Sequence, residues 1–555
     1  MSSIGGSIPG SAGSGGVGIL AKERTIVGAG FNRWLVPPAA LCIHLCIGMA
    51  YGFSVFWLPL SQAVGINHAV ACPATVGFWD ALFVTDCDWK VKQLGWMYTL
   101  FFVFLGSAAA LWGGWLERVG PRKAAFVSTL CWCGGLVIGA VGVYLHQLWL
   151  MWLGAGALGG IGLGLGYISP VSTLIKWFPD RRGMATGMAI MGFGGGAMIG
   201  SPLADKLMKY FATASDVGVW QTFVTLAAVY FVFMMVGVFS YRLPALGWKP
   251  AGWTPPTETQ QKAMVTRGQV HLNMAWKTPQ FWLIWGVLCL NVSASIGIIG
   301  LASPMLQEIF GGRLIGVDLG FSDLSPAQKG LIATAGAAFA GLLSLFNIGG
   351  RFFWASASDY LGRKRTYIVF LLLGTALYLA TPGLGAAGNK AFFVLALCII
   401  VSMYGGGFAT VPAYLSDMFG TQMVGAIHGR LLTAWSTAGI VGPLLVNYLR
   451  DYRLEQGIPR GEVYGPILYL MAGLLVLGLV CNLMVKPVAP KYFMSERELE
   501  AERKLAHERS LSMVGGPVSQ AVSNPALVVV AWLFVGIPLA WGVWITLQKA
   551  AALFH

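Results

Sequence analysis

The chain has 555 residues, of which 56% are hydrophobic and only 10% charged, with a mean hydropathy of +0.69. Such a composition excludes a soluble globular protein and points to many membrane-spanning helices. The formal charge of +14 raises a nucleic-acid partner, but the basic residues lie mainly in short loops between apolar runs. No basic helix with interleaved aromatics stands outside those runs, so the expected partner is a lipid bilayer and not a nucleic acid.

Residues 1–35 are rich in Gly and Ser, carry Lys22, Arg24 and Arg33, and read as a flexible tail without a cleavable signal pattern. Apolar runs of membrane-spanning length follow near 36–60, 94–116, 123–145, 148–174, 184–207 and 219–241. A polar linker, 242–278, separates them from six more, near 279–306, 330–357, 366–387, 391–416, 424–449 and 464–486. A charged linker, 487–523, holds a helix-capping box in Ser495 and Glu498 and leads to one additional span at 524–548. The expected fold is therefore all-α and integral to the membrane, with bundles at 36–241 and 279–486 and an extra C-terminal helix.

Loop charge orients the bundle. The loops after spans 2, 4, 6 and 8 hold Arg118, Arg122 and Lys123; Lys176, Arg181 and Arg182; Arg242, Lys249, Lys262, Arg267 and Lys277; and Arg363, Lys364 and Arg365. The opposite loops dilute their basic residues, as Asp80, Asp86 and Asp88 do beside Lys90 and Lys92. This basic end and the N-terminus are thus expected in the cytoplasm, with His555 outside and the protein in the plasma (inner) membrane. Of the nine cysteines, Cys72 and Cys87 fall in the first outer loop, where a disulfide is open to an oxidising compartment. The others read as small hydrophobes. No metal-ligand spacing appears, and no cofactor or metal is expected.

The two halves repeat. GGWLERVGPRK (113–123) matches WASASDYLGRK (354–364), and the offset of 242 between Gly120 and Gly362 is nearly kept between Phe178 and Phe419 and between Pro202 and Pro443. Two six-helix halves in parallel repeat place a binding site near the bilayer midplane between them. The symmetry also sorts charges. Arg351 lies in the apolar span 330–357 yet matches Ala109 or Ala110, and His428 and Arg430 match Gly187 and Ala189. An arginine at the centre of a membrane helix costs about 2.5–3.5 kcal/mol on insertion scales, so a chain that keeps one without a symmetry partner needs it for an anion.

The paired loops resemble the signature loops of the major facilitator superfamily, with Pro121 inserted in the first and Ala355 and Tyr360 in place of the usual Gly and Arg in the second. The stretches 51–60, 164–203, 347–351 and 429–443 are similar to those of its oxalate:formate antiporter family. The resemblance implies two pseudo-symmetric six-helix bundles, an anion carrier, and a substrate carboxylate at Arg351. A helix 11 lysine of the family falls at or next to Trp435 here, which favours a substrate with one carboxylate.

The expected substrate-binding residues are Arg351, Arg430, His428, Trp435, Tyr51, Tyr167, Tyr404 and Trp354, with Trp57 as a further candidate wall. A guanidinium fork suits a carboxylate, and His428 could instead titrate. His44 reads as a packing histidine. Glu117, Arg118, Asp359 and Arg363 are expected to latch one face shut during alternating access. No Asp or Glu lies mid-span, which favours anion exchange, or a proton carried on the substrate or on a histidine. The expected protein is a monomeric secondary transporter of small organic anions, not an enzyme, preferring formate, lactate or pyruvate. An oxalate/formate exchanger using Arg351 and Arg430, and a carboxylate sensor that does not transport, are the alternatives.

Overall fold

In the computed structural model, residues 18–551 are described apart from 29, 67–69, 74–75, 246, 255–263 and 512–522. The first part of the expected tail, Lys262, the end of the charged linker and His555 lie outside the described residues.

Among the described residues, twelve helices are long and apolar enough to cross a membrane. In the first half these are α1 (Arg33–Leu60), α2 (Val91–Val119), α3 (Pro121–Tyr144), α4 (Leu148–Trp177), α5 (Arg182–Phe211) and α6 (Val219–Ser240). The second half has α7 (Pro279–Phe310), α8 (Pro326–Leu361), α9 (Arg363–Ala386), α10 (Lys390–Phe419) and α12 (Tyr464–Met484), and α13 (Pro525–Ala551) follows. The remaining segment, α11, comes in two pieces, Val424–Leu431 and Thr433–Glu455. At the joint the Thr433 hydroxyl donates back to the Arg430 carbonyl at 2.8 Å, a bond that competes with the helical ladder and bends the chain.

The stretch from residue 18 onward is docked rather than free. Ile26–Val27 pairs in parallel with Leu243–Pro244, Lys22 Nζ donates to the Glu117 carbonyl at 2.6 Å, and Arg33 grips Asp180 at 2.7 and 3.0 Å. The linker after α6 is held beneath the second half, where Thr266 N–H reaches the Asp417 carbonyl at 2.7 Å and Val270 N–H reaches the Phe419 carbonyl at 2.9 Å. Beyond α12, Ser495 and Glu498 form the expected reciprocal cap. At the opposite end, Cys72 and Cys87 are joined, and the Asp88 carboxylate accepts from the N–H groups of Val64, Gly65 and Val70. His146 stacks on Trp89 with centroids 4.1 Å apart. Burial holds its imidazole below the usual histidine pKa, against the backbone bond to Cys87 and the charge of Asp88.

The halves meet along two seams, α2 against α11 and α5 against α8. Glycine makes the approach of α8 to α10 close enough to present Arg351: a Cβ on Gly405 would sit 2.2 Å from the Asn347 carbonyl oxygen.

Candidate substrate site

Arg351 stands at the α5–α8 seam with none of its surface exposed. Its Nε donates to Asn347 Oδ1 at 3.0 Å and its Nη1 to the Ile190 carbonyl at 3.1 Å, which leaves Nη2 with no partner of good geometry among the described residues. No carboxylate pairs with it among the described ion pairs. The guanidinium instead lies 5.5 to 5.8 Å from the ring centroids of Phe193, Tyr51 and Phe408. These faces temper a buried cation but do not neutralise it.

The aromatics around it form one continuous cage drawn from both halves. Tyr51 and Tyr404 share a hydroxyl–hydroxyl bond of 3.0 Å between α1 and α10. Trp435 of α11 packs at its other rim against Tyr51, Phe102, Tyr167, Phe193 and Phe408, with centroids 4.9 to 6.3 Å apart. His428 lies 5.9 Å from Tyr167. The cage holds unspent polar atoms: the donor Trp435 Nε1, the Tyr167 hydroxyl and both His428 ring nitrogens, one a donor and one an acceptor in the neutral ring, are buried without partners of good geometry among the described residues. Buried polar groups left unpaired cost about 1–3 kcal/mol each. Several such groups beside a guanidinium without an acidic partner among the described residues suit a small acceptor-rich anion.

Two expected members stand elsewhere. Arg430 turns away from the cage to the linker, donating to the Leu272 carbonyl at 2.8 Å and to Asn273 Oδ1 at 3.1 Å, because its stem leaves α11 on the side facing that segment. Trp354 lies one turn below Arg351 and donates to Ser402 Oγ at 3.1 Å between α8 and α10. Trp57 packs beside Phe53 and Tyr98. Sequence reasoning missed Phe193, Phe408 and Asn347. Both phenylalanines border Gly runs, at 194–196 and 405–407, and close backbone approach at those runs is the signal that could have found them.

At the basic end, the repeated loops seal the two seams by one geometry. The Asp359 carboxylate at the end of α8 accepts from the N–H groups of Gly183 and Met184 at the start of α5, at 2.8 and 2.9 Å. The Glu117 carboxylate at the end of α2 accepts from Gly425 N–H at the start of α11, at 3.2 Å, and pairs with Lys176 at 2.8 Å. Acids 242 residues apart thus cap helix starts 242 residues apart, each in the opposite half. Arg363 binds Asp359 at 2.6 Å and Asp417 at 3.0 Å, and Asp417 also takes Arg182 at 3.1 Å. Arg118 is exposed and joins none of the described ion pairs. Among the described residues, no group of three His, Cys, Asp or Glu side chains could hold a metal ion.

The family model of the Major Facilitator Superfamily matches residues 40–443 and 292–554. The chain belongs to the Major Facilitator Superfamily. It is a multi-pass membrane transporter, as members of the superfamily are, and not an enzyme. It is 25% identical over 415 residues to the oxalate:formate antiporter of Oxalobacter formigenes, covering 74% of this chain and 83% of that one. It is 23% identical over 385 residues to apicoplast pyruvate carrier 1 of Toxoplasma gondii, covering 61% and 66%. Among solved structures, the superfamily transporter FucP in its outward conformation superimposes with a TM-score of 0.54 at 13% identity, covering 81% of this chain and 99% of that one.

Proposed function

We propose that this superfamily member carries small monocarboxylates such as formate, lactate or pyruvate by rocking its halves around Arg351. The observation that carries the reading is an arginine with no exposed surface and, among the described residues, no acidic partner and no partner of good geometry at Nη2, enclosed by aromatics from both halves. The carboxylate would dock on the Nη2 edge, with the Tyr167 hydroxyl and Trp435 Nε1 as neighbouring donors and His428 at the rim. Tyr51, Tyr404 and Trp435 would wall in the short apolar remainder. Trp435 packs against cage rings from both halves and Arg430 faces the linker, so among the described residues a second carboxylate would have no second arginine or lysine in the cage to meet. The names of the two relatives support a small organic anion. Asp359, Glu117 and Arg363 would hold the basic end shut and release it during the opposite half-cycle. Loop charge supports placing that end in the cytoplasm, and the protein would act as a monomer in the plasma (inner) membrane.

The test is uptake of labelled formate, pyruvate, lactate and oxalate by vesicles containing wild type or Arg351→Gln. Wild type is expected to take up the monocarboxylates and the variant to lose at least about ten-fold, the effect of about 1.4 kcal/mol of lost transition-state or binding energy. Normal transport by the variant would remove Arg351 from the site. Oxalate counterflow as fast as formate exchange would favour the dicarboxylate exchanger.

A further inference from the structure

His44 of α1 sits behind the cage with no exposed surface. It stacks on Tyr167 at 5.3 Å and meets the edge of Phe193 at 6.4 Å. Both of its ring nitrogens face backbone carbonyls: Nδ1 lies 2.6 Å from the Ala189 oxygen and Nε2 lies 3.2 Å from the Tyr167 oxygen. A neutral imidazole has one N–H to donate, so one of these contacts sets a lone pair against a carbonyl oxygen. An imidazolium, with two N–H groups, satisfies both. The two carbonyls thus give a protonated ring an acceptor for each of its N–H groups.

The same helix ties this ring to the anion site. Ala189 O faces His44 from the first half, and the next carbonyl, Ile190 O, accepts from Arg351 of the second half at 3.1 Å. The charged and titratable neighbours of His44 are Arg351 from α8, His428 from α11 and Tyr167 from α4, while α5 presents its carbonyls and Phe193. Asp or Glu is absent from that set. A proton on His44 therefore faces the Arg351 charge across one residue of α5, and two like charges in a low-dielectric interior resist each other. A carboxylate on Arg351 removes that opposition.

We propose that His44 is a proton-binding site whose occupancy is coupled to anion binding at Arg351, making the carrier a proton–monocarboxylate symporter. The inference rests on the reading of Arg351 given above. One proton from the solvent binds the free ring nitrogen, one carboxylate anion binds the guanidinium, and both are released on the far side, so no net charge crosses with the pair. Linkage is reciprocal: protonation tightens the anion by the same factor by which the anion tightens the proton.

The test uses the full chain in vesicles with labelled pyruvate and formate. With a pH gradient as the only driving force, wild type is expected to accumulate the substrate and to move protons in the same direction. His44→Gln, which keeps size and a single donor group, is expected to retain counterflow near wild type at saturating substrate and to lose gradient-driven accumulation by about ten-fold or more. His44→Asn serves if the first variant is not recovered in membranes. Wild-type transport without proton movement overturns the proposal directly, whatever the variants do. So does a variant that still accumulates substrate on the gradient, which would put the proton on the substrate or another group. Parallel loss of counterflow and accumulation in a well-folded variant would make His44 part of substrate binding and also refutes it. Absence of any carboxylate transport by wild type would instead refute the anion reading on which it rests.

Discussion

Arg351 was legible because a charge in an apolar span stands out, and more so because the repeat puts alanine at its counterpart. Its surroundings were less so. Tyr51, Tyr167, Tyr404 and Trp435 are all expected substrate-binding aromatics, and the structure brings the four together. Trp354 is expected beside them, and it faces Ser402 instead. Residue type and depth do not fix which side of a helix faces the centre, and with apolar residues on every side of a buried helix there is little amphipathic pattern to read it from. Arg430 shows the same limit, since only the docked linker reveals what its guanidinium meets. For Arg351 the planar fork makes a sharper prediction than charge alone. Arg351→Lys keeps the cation, yet an ammonium cannot hold Asn347 Oδ1, the Ile190 carbonyl and a carboxylate edge in one plane. If the proposed monocarboxylate is the substrate, its apparent KM is expected to rise by about ten-fold or more with the protein still properly folded, as read from concentration-dependent uptake. An unchanged KM in the lysine variant would mean that the site uses Arg351 only as a point charge.

At the scale of helices, the repeated loops were readable as fold elements, but what they bind was not. Nothing in GGWLERVGPRK or WASASDYLGRK says that its acid will cap a helix of the other half, because the partner N–H groups lie across the seam in space and far away in sequence. The geometry explains the acid at once: helix starts carry unpaired N–H groups and a positive dipole end, which a carboxylate satisfies. Asp359 takes two such groups at α5 and Glu117 takes one at α11. The α8–α5 cap should therefore contribute more to closure of the basic end. Asp359→Asn is expected to shift the resting population toward opening at that end by about 1–2 kcal/mol, the range for a charge-assisted helix cap. Glu117→Gln should do the same more weakly. Spin labels on Val119→Cys and Leu361→Cys would read the change as a longer distance component that grows in the Asp359 variant first. Equal distance distributions in wild type and both variants would take the acids out of gating and leave them as structural caps.

For the whole molecule, the twelve-span repeat was fully present in the hydropathy and in the near-constant offset, whereas the place of the extra helix was not. AWLFVGIPLAWGVW, within 531–544, is apolar on every side, so its sequence offers no face to dock. The structure shows that α13 lies in the outer groove across both halves. Val535 is buried against Leu41, Cys42 and Leu45 of α1, and Phe534 stacks on Phe233 of α6 at 4.5 Å. Gly542 packs on Met198 and Ile199 of α5, and Thr546 reaches Gly341 of α8. A helix touching α5 and α8 together spans the seam that the proposed rocking would deform. Few of its residues are buried against the bundle, so its expected role is that of a brace on a core that folds without it. Removing it by a stop after residue 511 should leave a folded, transporting protein. The thermal midpoint in detergent is expected to fall by several degrees, since α13 buries few residues and a loss of about 1 kcal/mol already moves Tm by a few degrees. Turnover is expected to rise, because a strap across the moving seam opposes the excursion that it spans. Gly542→Leu, which drives a side chain into Met198 and Ile199, should reproduce part of the effect by lifting the helix from α5. A truncated chain that turns over more slowly than wild type at equal protein in the membrane would refute the brace and make α13 a part of the moving machinery.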